Sequence, residues 1–189
     1  MKAVAPIILA SQSPRRQQLL REAGFEFEVL VRAVKEEIVE DIHPRAVAVL
    51  ISEHKAKAYD DLMTRHLVIT ADTIVALEDE VLGKPASDEE AVQYLRRLSG
   101  KTHQVYTAVT LFHKGRLRSF AEETHVSFRK LRESEIEQYV RQYQPLDKAG
   151  AYGIQEWIGM IGVTRIEGDY YNVMGLPVAR LYEEILQLS

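Results

Sequence analysis

Residues 7–24 read IILASQSPRRQQLLREAG. The run Ile7, Ile8, Leu9 and Ala10 is short, apolar and rich in branched side chains, which predicts a buried strand. It stops at Ser11-Gln12-Ser13, and Pro14 opens a helical pattern with Leu19, Leu20 and Ala23 on one side. Ser13 suits the N-cap, Pro14 the first helical position and Gly24 the C-terminal stop. Arg15 and Arg16 break the pattern. They put two positive charges in the first turn, where the helix dipole is already positive and each misplaced charge costs about 0.3–1 kcal/mol. An anion held by Ser11, the free helix N–H groups and both guanidinium forks would turn that cost into binding. Two solvated arginines on a surface helix are the plain alternative.

Outward from this unit, strands and helices alternate. Residues 27–31 read as a strand, and a helix starts at His43-Pro44 and runs to about Leu62. The run 67–77 is a long strand, and Val81-Leu82 leads into Gly83-Lys84-Pro85. Ser87 or Asp88 caps a helix that ends at Gly100. Residues 102–112 and 117–128 alternate as two long strands joined by a hairpin loop at 113–116. Residues 133–143 form an amphipathic helix with Ser134 near its cap, and the glycine-rich stretch 146–155 fits no regular element. Residues 161–166 read as a strand, residues 171–174 as its extension, and Pro177 starts a last helix to about Leu186. The alternation with one long hairpin predicts an α/β fold with a mixed sheet.

Composition narrows the function. A chain of 189 residues without repeats or linker is expected to be one domain over 1–189, which can carry two lobes around a cleft. The net charge of −4 argues against a nucleic-acid surface, and the absence of Cys removes disulfides, thiolate metal sites and a thiol nucleophile. No segment reads as a secretory signal or a membrane span, so a cytoplasmic setting is expected. The six histidines lack zinc-site spacing; no dinucleotide fingerprint, P-loop or nucleophile elbow is present.

Three positions stand out beyond the arginines. Asp72 is the only charge in LVITADTIVAL, and a carboxylate there must be paired, hydrogen-bonded, metal-bound or capping a turn between two strands. In an extended backbone Thr73 points to the opposite face. Lys84 sits on a loop stiffened by Pro85, as a positioned cation or part of an ordinary turn, and Lys148 is similar. Glu36 and Glu37 are either metal carboxylates or a surface acidic pair. Scattered Arg and Lys with isolated carboxylates suit a polyphosphate whose charge is shared with a hard divalent metal.

Together SQSPRR (11–16), ADTIV (71–75), GKP (83–85), LSGKTHQV (98–105) and DKAGAYGIQ (147–155) resemble the Maf family of nucleoside triphosphate pyrophosphatases, along essentially the whole chain. The resemblance implies the Maf/inosine-triphosphatase-like fold: an elongated mixed sheet flanked by helices, with a cleft between two lobes, as a homodimer. It implies cleavage of the α–β phosphoanhydride of a nucleoside triphosphate with Mg²⁺ or Mn²⁺. Asp72 matches the family's proton acceptor, and Ser11, Arg16, Lys55 and Lys84 match phosphate-binding positions. Glu36 falls on a metal-binding position, although the family's usual Asp-Glu is Lys35-Glu36 here, and Asp72 with Glu36 is expected to hold the metal. Arg15, Thr73 and Gln155 occupy the three specificity positions and are similar to the branch acting on dTTP and UTP, with CTP or modified pyrimidines as further candidates. A branch preferring 7-methyl-GTP would carry Trp, Glu and Glu there. Arg and Gln offer donors, and Gln also an acceptor, to a pyrimidine edge. The rival readings are a non-catalytic nucleotide-binding regulator of cell division and a pyrophosphatase for non-standard purine triphosphates.

Overall fold

The computed structural model describes residues 3–34, 42–78 and 80–188. Glu36 and Glu37 therefore lie outside the described residues. The expected α/β architecture with a mixed sheet is present. Seven strands form one sheet in the order β2-β1-β3-β5-β6-β7, with β4 also on β3. They are β1 (Ile7–Leu9), β2 (Phe27–Val29), β3 (Leu67–Leu77), β4 (Glu80–Leu82), β5 (Thr102–His113), β6 (Arg116–Phe128) and β7 (Val163–Glu167). β1 runs parallel to β2 and β3, and every other pairing is antiparallel. The β5–β6 hairpin closes on Lys114 and Gly115, both with positive φ, the turn whose twist matches paired strands and for which glycine has no steric cost.

The alternation along β3 sorts its side chains onto two faces. Ile74 and Ala76 pack with Val47, Ala48 and Ile51 of α2 (Pro44–Lys57), and Val68 packs near that helix's C-terminal end with Ala56. The opposite face carries two separate apolar clusters. Leu67, Ile69 and Ala71 join Leu19 and Leu20 of α1 (Pro14–Glu22) and Leu181 and Ile185 of α7 (Val178–Leu186). Val75 and Leu77 join α3 (Asp88–Leu98), α4 (Glu133–Tyr143) and α5 (Trp157–Gly162). Two cores on one sheet are the two lobes, and Thr73 falls between them.

β1 pairs only with Leu67, Val68 and Ile69 of β3, whereas β4 pairs only with Val75, Ala76 and Leu77 on the same edge. Among the described residues no strand covers 70–74 there, while β5 covers the other edge continuously. The interruption puts Asp72 and Thr73, on opposite faces, beside one opening.

Several elements differ from the sequence reading. α2 ends at Lys57 and is followed by turns, not by helix to Leu62. Ile161 belongs to α5, and the strand begins at Val163. Residues 171–174 do not extend that strand; they belong to the short helix α6 (Tyr170–Met174). The Asp169 side chain accepts from the Tyr171 N–H at 2.8 Å, and a helical turn carries the Asn172 amide into the core. The N-cap of α4 is Arg132, not Ser134, and the Glu135 carboxylate reaches back to the Arg132 N–H at 2.8 Å. Among the described residues no helix is long and apolar enough to cross a membrane.

Candidate active site

Arg16 leaves the first turn of α1 and points into the opening in β3. Its Nη1 donates to the Ala71 carbonyl at 2.9 Å, supplying a partner on the edge of β3 where no strand lies among the described residues. Nη2 donates to Thr73 Oγ1 at 2.9 Å, and Nε donates to the Gly175 carbonyl just after α6 at 2.7 Å. Ser11 Oγ accepts from Arg16 Nη1 at 3.4 Å and from the Ser13 N–H at 3.2 Å. Ser13 caps α1 by accepting from the Arg16 N–H. The unfavourable charge in the first turn is thus offset by neutral acceptors, and the fork ties α1, β3 and α6 together.

Thr73 continues the network inward. Its hydroxyl lies 3.0 Å from Thr107 Oγ1, which donates to the Asn172 carbonyl at 2.8 Å. The Asn172 side chain accepts from the Thr107 N–H and donates to Val105 O and Thr124 Oγ1 at 2.9–3.1 Å. Nothing in the sequence reading singled out Asn172; a lone amide in the aromatic run YYNVM was the available signal.

On the other face, Lys55 Nζ donates to Asp72 Oδ1 at 2.7 Å, both side chains being less than one-fifth exposed. α2 is seated by buried hydroxyls: Thr70 Oγ1 donates to Ser52 O at 2.6 Å, and Ser52 Oγ lies 2.7 Å from Thr110 Oγ1. Lys55 is one turn beyond Ser52, so this anchor fixes the ammonium against Asp72.

The opening leads into a cleft open to solvent. It gathers Arg15, Arg16, Lys55, Asp72, Thr73, Lys84 and Gln155 against walls from Val75, Val105, Tyr152, Val173 and Met174. An adjoining compartment takes in Ser11, Ser13 and Arg32 and shares Arg15, Arg16, Lys55 and Lys84 with the first. Sequence candidates up to 140 positions apart, Arg15 and Gln155, therefore meet in one place. Lys84 is exposed, on a loop pinned by the Gly150 N–H to the Gly83 carbonyl at 3.1 Å, and has no hydrogen bond or ion pair among the described residues. Gln155 Oε1 is buried and has no hydrogen-bond partner among the described residues.

The loop carrying Gln155 is held by a relay that the sequence reading missed apart from Lys148. Lys148 is buried between Asp147 Oδ1 at 2.7 Å and Glu156 Oε1 at 3.2 Å, and Tyr139 donates to Glu156. Burial pushes the Asp147 carboxyl up, but the Lys148 ammonium and the Arg15 guanidinium outweigh it and leave it below the usual range. Beneath Tyr152 lies His103, fully buried, its Nε2 2.7 Å from the Tyr152 hydroxyl and its Nδ1 without a partner among the described residues. Desolvation pulls the imidazole from 6.5 down to about 3. Between those values the unfolded chain binds more protons, so His103's contribution is complete above 6.5 and is lost as pH falls toward 3. Urea unfolding is expected to lose about 1.4 kcal/mol per pH unit from this group inside that window. His103→Gln should flatten the slope; an unchanged slope assigns the acid loss to other groups.

No group of three His, Cys, Asp or Glu that could cage a metal occurs among the described residues. Asp72 supplies one carboxylate that lines the cleft, with its Oδ1 on Lys55. That donor set fits a hard cation of the Mg²⁺ type, which takes one or two protein carboxylates and completes its shell with phosphates and water.

Comparison with known proteins identifies the family. The family model described as Maf-like protein matches residues 6–188. A dTTP/UTP pyrophosphatase of Phocaeicola vulgatus is 50% identical over 184 residues, covering 96% of this chain and 95% of that protein. A dTTP/UTP pyrophosphatase of Bacillus cereus (strain AH820) is 47% identical over 183 residues, covering 97% and 95%. The Staphylococcus aureus Ham1 protein structure superposes with a TM-score of 0.50 at 20% identity over 95% of this chain and 99% of that one, a likeness of fold.

Proposed function

Because the chain belongs to the Maf family, we propose that it is a nucleoside triphosphate pyrophosphatase that hydrolyses dTTP and UTP to the monophosphate and pyrophosphate. The observation that carries the mechanism is the Asp72 carboxylate at the interrupted edge of β3, oriented by Lys55 and surrounded by Lys84, Arg15 and Arg16. Homodimerisation and a cytoplasmic setting, supported by the family resemblance, belong to the same reading.

The substrate runs from one compartment into the other. The cavity walled by Val75, Val105, Tyr152, Val173 and Met174 suits a flat base, with Arg15, Thr73 and Gln155 at its edge. The pyrimidine preference follows from these side chains: the Gln155 oxygen, without a partner among the described residues, accepts from a ring N–H, and Arg15 donates to a ring carbonyl. The compartment with Ser11, Ser13, Lys55 and Lys84 suits the triphosphate. Arg16 contributes charge and geometry, since its fork is largely engaged with Gly175, Ala71 and Thr73.

Asp72 takes the proton of a water that attacks the α-phosphorus. The new P–O bond forms as the α–β anhydride bond breaks, and pyrophosphate departs with its developing charge facing Lys55 and Lys84. Asp72, with Glu36 as the second carboxylate, would hold a divalent cation. When bound, such a cation screens the phosphates and polarises the attacked phosphoryl group. Pyrophosphate release from dTTP, UTP, CTP, ITP and 7-methyl-GTP, each with Mg²⁺, Mn²⁺ or chelator, tests the proposal. Turnover led by dTTP and UTP and abolished by chelation supports it, and no turnover of either pyrimidine overturns it.

Lys84→Ala is expected to raise KM for dTTP about tenfold, the equivalent of about 1.4 kcal/mol of phosphate binding. Because Lys84 is exposed, thermal stability should stay unchanged. A loss of stability with KM intact would remove Lys84 from the phosphate site.

A further inference from the structure

A second carboxylate, Asp147, borders both compartments, where it opposes the polyphosphate by Coulomb repulsion. It is tied down on both oxygens. Oδ1 accepts from Lys148 Nζ at 2.7 Å, and Oδ2 accepts from Arg15 Nη1 at 3.2 Å. The first contact is rigid, because Lys148 is buried and held also by Glu156. The second crosses the cleft from the loop of one lobe to the first turn of α1 in the other, over 132 positions of sequence.

Arg15 stands at the junction of the two compartments. Left to itself, a guanidinium in that place meets a triphosphate first, because the fork matches phosphate oxygens and the charge attraction dominates any contact with a neutral base. Its partner changes this. With Asp147 on Nη1 the charge is balanced locally, and donors remain for a neutral acceptor.

We infer that Asp147 is a specificity-determining residue: by pairing with Arg15 it withholds that guanidinium from the triphosphate and commits it to the base beside Thr73 and Gln155. The inference rests on the reading above that Arg15, Thr73 and Gln155 meet the base. Selectivity is obtained by weakening phosphate affinity, so removing the acidic group has opposite effects on the two quantities.

The test is Asp147→Asn, which keeps shape and loses charge, with Asp147→Ser as the second variant if the amide fails to fold. Binding of inorganic tripolyphosphate, measured by calorimetry and independent of turnover, should tighten about fivefold or more. The kcat/KM ratio of dTTP to dGTP should fall about tenfold, the scale of one lost recognition contact. In an Arg15→Gln background neither quantity should respond to Asp147→Asn. Unchanged tripolyphosphate binding, or kcat/KM lowered by one common factor for every nucleotide, overturns the inference and leaves the pyrimidine reading in place. A parent protein without preference for dTTP over dGTP overturns the reading and the inference together.

Discussion

Replacing Asp72 by Asn is expected to lower kcat for dTTP by roughly 10²–10⁴-fold, the range associated with loss of a positioned general base, while KM changes only a few-fold. The substitution is close to isosteric. The amide oxygen can still accept from Lys55 Nζ, so the seat of α2 on β3 and the overall stability should persist. What disappears is a charged group able to take a proton and to ligate a hard cation. Steady-state pyrophosphate release checks the outcome, with thermal unfolding run in parallel. A variant that keeps its rate would remove Asp72 from the chemistry, whatever its place in the cleft.

Gly159→Ala should have the largest effect on stability. A Cβ at Gly159 would stand 1.9 Å from the Ile154 carbonyl oxygen and 2.6 Å from its carbon, both backbone atoms that cannot swing aside. α5 therefore rests directly on the turn that presents Gln155. Relief requires the helix and turn to part, at a cost of about 3 kcal/mol or more, the upper part of the overpacking range. For a chain of this size that corresponds to a fall in Tm of roughly 6–12 °C. Because Ile154 adjoins Gln155, dTTP selectivity should fall in the folded fraction as well. A Tm within a degree or two of the parent would show that the close approach is relieved elsewhere.

Much of this was legible because local rules and tertiary context agreed. β3 announced itself by its long apolar run, the hairpin by its loop at 113–116, and α3 by a cap at Ser87 or Asp88 and a stop at Gly100. The misplaced charges of α1 and the lone carboxylate of β3 were legible for the opposite reason, since each violated a rule that the surrounding sequence obeyed. Residues 171–174 misled because aromatic and branched side chains favour strands only on average, and the cap from Asp169 with the buried demands of Asn172 outweighed that tendency. The interruption of the β3 edge was invisible in sequence: it depends on how far two three-residue strands reach along a longer one. The partners of Lys148 in the relay, Asp147, Glu156 and Tyr139, were hidden likewise, because acidic residues resemble ordinary surface charges until the chain folds.

The edge of β3 between β1 and β4, which no strand covers among the described residues, has one more consequence. Exposed strand backbone is a template onto which a strand from another molecule can zip, the usual first step of sheet-mediated aggregation. In this protein the vacancy is blocked in two ways: Arg16 occupies the Ala71 carbonyl, and the Asp72–Lys55 pair places charge where an incoming apolar strand would lie. The side chains proposed for turnover would then also guard this edge against pairing with a second copy of the chain.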